Sequence, residues 1–358
     1  VKILRSWNGS VYKMIWPELL IFCLIYLSLS ITYHLLLNEF QKEHFETVAK
    51  YCDEFSRKLP LSFVLGFFVS TVVYRFWIQF NNIAWPADVA IKVNALISGK
   101  DEEGRMLRRT IMRYICAGYV FAFCSISAPI KKRFPTLEHF VLAGFLLPNE
   151  KIIFENIPTT INKYVIPFVW AANLVQKAKK EGRTKDQMTA HILISAINDF
   201  RGKSGMLTSL DSVTIPLAYT QVVILAVFIF CTACLMGRYK FDDGDEADYH
   251  LPLLTIFQFI FYMGWLKVAL SGLHAFGDDD DDFELNSLID MALQESYLIV
   301  DQMYDVLPEY GHDIFWNKRV EIPYTEMSIM TMKDFYIGSA TTYQFLIFVL
   351  HFLKAIRV

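Results

Sequence analysis

The chain has 358 residues, of which 54% are hydrophobic and 15% aromatic, and its formal net charge is −3. That apolar fraction is high for a soluble domain of this length, and a net charge so close to zero argues against a nucleic-acid-binding protein. The composition therefore predicts a membrane protein, and the segments that cross the bilayer have to be located.

Four segments are apolar and about long enough to span the bilayer as helices, which takes roughly 20 mostly apolar residues. In chain order they are residues 15–37, 59–74, 212–237 and 251–275. The second is the shortest and lies between Lys58 and Arg75. Four crossings put both ends of the chain on the same side of the membrane, with residues 38–58 as an outer loop.

A fifth apolar run, residues 114–130, is a competing candidate for a span. Basic residues bracket it on both sides, namely Arg108, Arg109, Arg113, Lys131, Lys132 and Arg133. Residues 81–212 as a whole carry 18 Lys or Arg against 11 Asp or Glu. Because positive charge favours the cytoplasmic side, we predict that this block is cytosolic, that both chain ends are cytoplasmic, and that residues 114–130 form a buried helix.

The second span carries a regular apolar pattern. Leu59, Phe63 and Phe67 stand at i, i+4 and i+8, so they would share one face of a helix. Such a stripe can pack against another helix. Alternatively, several copies of the chain around an axis would turn the stripe into an apolar ring, and hydrophobic constrictions gate pores by dewetting. The second interpretation requires a cyclic homo-oligomer.

Five consecutive aspartates, Asp278 to Asp282, directly follow the fourth span. A hard cation would relieve their mutual repulsion, and Ca²⁺ is bound in proteins by oxygen ligands. The run is not an EF-hand, because the sixth position counted from Asp278 is Phe283 rather than Gly. A solvated acidic loop without a ligand is the alternative.

The same run contains a DDxxD pattern (Asp278, Asp279 and Asp282), which prenyl-transferring enzymes use to hold Mg²⁺-diphosphate. That chemistry needs a second acidic motif facing the first. The other acidic run, residues 242–248, lies across the membrane in the predicted topology. No Ser-His-Asp or Cys-His pattern stands out either, so we predict that the protein is not an enzyme.

Several longer motifs run from one end of the chain towards the other. They are WNGSVYK (7–13), PLSFVLGF (60–67), RRT (108–110), KRFPT (132–136), PLAYTQVV (216–223), GWLKVA (264–269), FGDDDDDFE (276–284) and VDQMYD (300–305). In composition and order this set resembles the bestrophins, a family of Ca²⁺-activated, anion-selective channels that assemble as homopentamers.

The resemblance implies a role for individual residues of the pore. Leu59, Phe63 and Phe67 match the family's neck, which is the narrow gate. Ser62 matches a position that lines the permeation path. Met188 aligns with a second constriction, the cytosolic aperture.

The aspartate run matches the family's Ca²⁺ clasp. The resemblance implies that Asp279 and Asp282 bind Ca²⁺ through their side chains and that the backbone carbonyls of Ser271 and His274 complete the site. The family usually has Gln and Asn at the latter two positions, but carbonyl ligation does not depend on the side chain. A further backbone ligand comes from an N-terminal segment that we expect this sequence to lack.

The function implied by the resemblance is a Ca²⁺-activated chloride channel, a homopentamer in the lipid bilayer of the plasma membrane, with Ca²⁺ as cofactor and chloride as permeant ion. The alternative is a non-conducting membrane scaffold, or an obligate subunit that assembles with paralogous subunits. The fold expected is an all-α membrane protein with four transmembrane helices per chain and a large helical cytosolic region.

This interpretation divides the chain into five regions. They are the N-terminal segment, first span, outer loop and neck helix (1–80), a helical cytosolic domain (81–211), the third and fourth spans (212–275), the clasp with a cytosolic helix (276–332) and a tail (333–358). Residues 333–342 resemble the family's regulatory tail, and phosphorylation of Ser339 would add charge there. The apolar run 345–353 is too short to cross a bilayer.

Overall fold

The computed structural model describes residues 5–238 and 253–330, and all regular secondary structure within these residues is helical. The prediction of an all-α fold is therefore confirmed for the described part of the chain. The acidic outer run 242–248, Ser339 and the apolar run 345–353 lie outside the described residues.

The α-helices of the described residues are numbered in chain order. They are α1 Val11–Ile31, α2 Glu39–Lys58, α3 Leu61–Asn81, α4 Pro86–Leu96, α5 Glu102–Ile126, α6 Ala128–Arg133, α7 Leu137–Leu142, α8 Pro148–Asn156, α9 Val165–Lys180, α10 Gln187–Ser212, α11 Leu217–Gly237, α12 Leu253–Ser271, α13 Leu285–Tyr297 and α14 Glu326–Ile329. A π-helical turn, Thr32–Leu36, extends α1, and a second one, Leu298–Gln302, follows α13.

Within the described ranges, four helical segments are long and apolar enough to cross a membrane. They are Val11–Leu36, Leu61–Leu96, Leu217–Gly237 and Leu253–His274. These segments correspond to the four predicted spans. The second is longer than the predicted 59–74, because it includes α4 and because α3 continues to Asn81. Within α3, the Arg75 guanidinium donates hydrogen bonds to the carbonyls of Leu210 and Val213.

The competing apolar run, residues 114–130, is not one of these four segments. Most of it lies in α5, where Tyr119 and Phe123 are 2% and 0% exposed. α5 packs against α9, α10 and α13, which explains why its apolar side chains are covered by protein. The prediction of a buried helix is confirmed.

Two buried arginines fix α5 to its neighbours. Arg113 donates hydrogen bonds to both carboxylate oxygens of Glu150 in α8, at 2.5 and 2.7 Å. Arg108 lies over the Tyr304 ring, 3.3 Å from its centroid, and donates to the Gly99 carbonyl at 2.8 Å. Such partners are needed because an unpaired buried charge is costly.

Residues 39–58, which belong to the predicted outer loop, form the helix α2. The segment begins with a capping box, in which the Asn38 amide donates to Oε1 of Gln41 at 3.0 Å. α2 packs against α11 through its apolar side. The prediction of an outer loop did not specify its secondary structure, because the many charged residues between the apolar ones conceal the amphipathic pattern of this helix.

Apolar side chains form two separate cores within residues 5–306. The first lies among α1, α3, α11 and α12 and includes Phe22, Phe68 and Phe259. The second lies among α4, α5, α6, α7, α9, α10 and α13. Residues 307–330 belong to a separate unit, which contains α14.

Candidate functional site

α3 buries one face and leaves two phenylalanines of the other uncovered. Leu65 and Phe68 are fully buried against the rest of the chain, whereas Phe63 and Phe67 are 67% and 58% exposed. The Phe63 and Phe67 rings pack edge to face, with centroids 4.7 Å apart. In the described part of the chain, Phe63 and Phe67 therefore remain mostly uncovered by other helices.

Leu59 does not belong to this helix. It follows the last residue of α2, has an extended backbone (φ −76°, ψ 119°), and precedes Pro60, after which α3 begins. The expectation that Leu59 shares one helical face with Phe63 and Phe67 is therefore wrong. The α conformation is disfavoured for a residue that precedes proline. Its side chain is partly buried against the core among the spans.

α12 packs along α3 from the region of Phe63 and Phe67 towards the acidic loop. At one end, the exposed Ser62 is hydrogen bonded to Tyr262, with 3.0 Å between the two hydroxyl oxygens. At the other end, a Cβ atom added to Gly272 would lie only 3.2 Å from Cγ1 of Val72. Ten residues of α3 separate Ser62 from Val72, so the contact extends over about 15 Å.

The acidic loop begins where α12 ends. Ser271 is the last residue of α12, and a 3₁₀ turn, Gly272–His274, follows. The His274 carbonyl accepts a hydrogen bond from the Gly277 amide at 3.0 Å, and the Ala275 carbonyl accepts one from Phe283 at 3.0 Å. These bonds close the loop before α13 begins at Leu285.

Asp282 is the half-buried carboxylate of this loop. Its Oδ2 accepts a hydrogen bond from the Asp279 amide at 2.8 Å. A Cβ atom added to Gly277 would lie 2.6 Å from this same oxygen and 3.3 Å from the His274 carbonyl oxygen, so the two oxygens approach one point. Burial, together with the negative charges of Asp279 and Asp281, raises the pKa of Asp282.

These features fit a cation, because a bound positive charge would compensate the burial and repulsion that act on the Asp282 carboxylate. Neither Asp279 nor Asp282 forms an ion pair with a basic side chain within the described ranges. Those ranges also contain no group of three or more His, Cys, Asp or Glu side chains arranged to hold a metal ion. A site here would have to combine two carboxylates with main-chain carbonyls, such as those of Ser271 and His274.

Two other aspartates of the run already have cationic partners. Oδ2 of Asp280 accepts hydrogen bonds from Nζ of Lys13 at 2.5 Å and from the Gly9 amide at 3.1 Å. Both donors hold the pKa of Asp280 below its usual range. Asp278 pairs with Lys132, 3.3 Å away. Sequence reasoning missed Lys13 and Gly9 as partners, although both lie in the WNGSVYK motif.

Met188 lies apart from the phenylalanine pair in sequence and in structural element. It is the second residue of α10, whose N-cap Asp186 accepts a hydrogen bond from the Thr189 amide at 2.7 Å. The Met188 side chain is 64% exposed. Met188 is therefore an apolar residue on the surface of the single chain.

Fold and site together define a helical membrane protein in which an acidic loop follows one span and an uncovered phenylalanine pair lies on the adjacent span. Residues 1–302 match the family model described as "Bestrophin, RFP-TM, chloride channel". The chain belongs to the bestrophin family.

Relatives with curated names agree with this assignment. The chain is 43% identical to human Bestrophin-3 over 330 residues, which are 90% of this chain and 49% of that protein. It is 42% identical to human Bestrophin-2a over 339 residues, 93% of this chain and 67% of that protein. It therefore spans about half to two thirds of the length of these relatives.

The fold is also that of a solved bacterial relative. A crystal structure of a bacterial bestrophin homolog from Klebsiella pneumoniae superposes with a TM-score of 0.60 and covers 81% of this chain and 98% of that chain. Sequence identity in this comparison is 16%, so the similarity concerns the fold alone.

Proposed function

We propose that this bestrophin is a Ca²⁺-activated chloride channel that opens at a hydrophobic neck. The observation that carries the proposal is the contact of α3 with α12 and with the 3₁₀ turn that follows it. Because α12 also leads directly into the acidic loop, a change in that loop can reach the helix that carries Phe63 and Phe67.

The neck is formed by several copies of the chain. One α3 helix cannot enclose a pore, and its two exposed phenylalanines are available to meet their counterparts in neighbouring copies. Around a symmetry axis, Phe63 and Phe67 form an apolar constriction that excludes water and ions. Leu59 lies beside the neck, before α3 begins, and Ser62 faces the permeation path. The ring is a homopentamer, as in the family resemblance, and Met188 forms the second constriction.

Ca²⁺ binds to the acidic loop through the carboxylates of Asp279 and Asp282 and the carbonyls of Ser271 and His274. A ligand shifts a conformational equilibrium only by its different affinity for the two states. We infer that Ca²⁺ holds the end of α12 in the position in which Phe63 and Phe67 turn away from the axis. The open state is then the one with the tighter Ca²⁺ site.

Selectivity for chloride arises from partial rather than full charges. The neck residues are uncharged, but α3 begins just after Pro60, and the first amides of a helix favour anions. The edges of aromatic rings are positive as well. The edge-to-face pair of Phe63 and Phe67 can therefore direct positive ring edges towards a passing anion.

The chain functions in the plasma membrane with both termini in the cytoplasm and residues 81–211 as its cytosolic domain. The remaining regions are the neck region (1–80), the third and fourth spans (212–275), the clasp region (276–332) and a regulatory tail (333–358). The protein is a channel and not an enzyme. The second candidate function is a non-conducting scaffold or a subunit that requires paralogous subunits.

The test is current across a planar bilayer that contains the purified protein, with free Ca²⁺ stepped from chelated to micromolar under a chloride gradient. A Ca²⁺-dependent current that reverses near the chloride potential is expected, and Asp279→Ala and Asp282→Ala should remove its Ca²⁺ dependence. Current indifferent to Ca²⁺ would contradict the clasp. Silence from an intact oligomer would favour the scaffold or the mixed assembly.

A further inference from the structure

The five aspartates of the acidic loop do not have equal surroundings. Within the described ranges, neither Asp279 nor Asp282 forms an ion pair with a basic side chain, whereas Asp280 accepts hydrogen bonds from two donors of the N-terminal segment. Gly9 and Lys13 are separated from Asp280 by more than 260 residues of sequence, so this is a long-range contact. A carboxylate oxygen that already accepts from an amide and an ammonium is a poor candidate for a metal ligand.

The backbone at Gly9 is shaped for this contact. Its φ of +66° lies in the left-handed region, which favours glycine. A Cβ atom at this position would also lie 2.9 Å from Oδ1 of Asp281. The segment before α1 therefore lies against the Asp281 side chain as well as Asp280.

α1 is held against α12 as well as against the loop. A Cβ atom added to Gly264 would lie 2.5 Å from Cγ2 of Val11, so the two helices touch where α1 begins. Further along, Glu18 of α1 forms an ion pair with Lys267 of α12. The acidic loop thus contacts α1 through Lys13, α1 packs against α12, and α12 is followed directly by the acidic loop.

We propose that Asp280 is a positioning residue that tethers the Gly9–Lys13 segment to the acidic loop, and that this tether strengthens Ca²⁺ binding by the neighbouring carboxylates. The proposal rests on the proposed function, in which that loop binds Ca²⁺. The tether acts by reducing the number of conformations that the loop can adopt before the ion arrives.

Lys13→Gln separates this idea from simple electrostatics. Removing a positive charge near the loop should tighten Ca²⁺ binding if charge alone matters, whereas loss of the tether should weaken it. The matched control is Lys132→Gln, because the Lys132–Asp278 pair involves the same loop but both side chains are 73% exposed, against 46% and 40% for Lys13 and Asp280.

Ca²⁺ affinity is measured by calorimetric titration of the purified oligomer, which does not require conduction. Lys13→Gln should weaken Ca²⁺ binding about threefold, the size expected for one partly exposed ion pair. Lys13→Arg should restore it, and Lys132→Gln should leave it unchanged or tighter. The proposal would be overturned if Lys13→Gln bound Ca²⁺ more tightly than the wild type. It would also be overturned if Lys13→Gln and Lys132→Gln changed the Ca²⁺ affinity by the same factor.

Hydrogen exchange of the Ca²⁺-free protein tests the tether itself. In Asp280→Asn, the amides around Gly9 should exchange several-fold faster than in the wild type, and in Asp278→Asn they should not. Unchanged exchange in Asp280→Asn would overturn the tether. Wild-type protein that binds no Ca²⁺ would overturn the proposed function and the effect on binding, while the exchange rates would still decide whether the tether exists.

Discussion

At the scale of single residues, the ion pair between Arg113 and Glu150 joins α5 to α8, and both side chains are only 9% exposed. Glu150 also accepts a hydrogen bond from the Tyr114 hydroxyl at 2.6 Å. Burial alone would raise the pKa of Glu150, but the bonds from Arg113, Tyr114 and the Leu147 amide together lower it. Burial and the neighbouring carboxylate raise the pKa of Tyr114 to about 12, so its hydroxyl stays protonated and donates.

Glu150→Gln should destabilise the protein by about 3 kcal/mol at pH 7, because it leaves the buried Arg113 without its counterion. The pKa of Glu150 is lowered by folding, so its stabilising effect is complete above the ordinary value of 4.5 and disappears as the pH falls through the lower folded value. The difference in unfolding temperature between wild type and variant should therefore shrink from pH 7 to pH 3.5. The measurement is thermal unfolding in detergent.

The control for this substitution is Glu138→Gln. The Glu138 side chain is 64% exposed and pairs with Lys151 at the surface, so its removal should change stability by less than about 1 kcal/mol. If Glu138→Gln and Glu150→Gln destabilised the protein equally, or if the effect of Glu150→Gln did not depend on pH, the role assigned to the buried pair would be wrong.

At the scale of helices, the close approach of α2 to α11 depends on Gly237. A Cβ atom added there would overlap the backbone of Asp53, which cannot move without shifting α2. Gly237→Ala should therefore cost about 1–3 kcal/mol, as overpacking usually does. Gly202→Ala is the matched control, because nothing lies within 4 Å of an added Cβ in α10, and it should be neutral or stabilise by about 0.5–1 kcal/mol.

Thermal unfolding of the two alanine variants distinguishes a packing effect from a general effect of replacing a helical glycine. Equal shifts in unfolding temperature would contradict the close approach of α2 and α11. A lower unfolding temperature for Gly237→Ala alone would support it.

A second prediction for helices concerns the hydroxyl pair that joins α3 and α12. Tyr262→Phe removes a hydrogen bond worth about 1 kcal/mol and leaves the ring in place. In the proposed mechanism this weakens the connection between the acidic loop and the neck, so half-activation should require about fivefold more Ca²⁺. Ser62→Ala should have the same effect, and the double variant should be no worse than either single one.

Tyr219→Phe is the control for this pair. Tyr219 lies on α11, and its ring contacts Phe68 on the buried face of α3, with centroids 5.7 Å apart. It should leave the Ca²⁺ dependence of the current unchanged. Additive effects of Tyr262→Phe and Ser62→Ala would indicate that the two hydroxyls act independently.

The helices show which structural features can be predicted from local sequence. Long apolar segments identify the spans, and flanking charge separates the buried α5 from them, because both properties are local. α2 was missed because its apolar residues are spaced among charges. The extended backbone of Leu59 could have been inferred from Pro60. The contact of Asp280 with Lys13 could not, because nothing in a local pattern brings two distant segments together.

At the scale of the whole molecule, the exposure of Phe63 and Phe67 is the feature that a single chain leaves unexplained. Phe257 of α12 is equally exposed, at 63%, as expected for a side chain that faces lipid. Exposure alone therefore does not distinguish a neck residue from a lipid-facing one. The two environments differ only when several chains assemble, because only then does one face of α3 enclose an axis.

Replacing both Phe63 and Phe67 by Ala should widen the neck and let water remain in it, so current should flow without Ca²⁺. The dewetting that closes a pore requires large apolar side chains around a narrow passage. The measurement is bilayer current in chelated Ca²⁺, compared with that of the wild type and of Phe257→Ala, which should both stay closed. A double variant that remained shut in the absence of Ca²⁺, while still an intact oligomer, would exclude Phe63 and Phe67 as the gate.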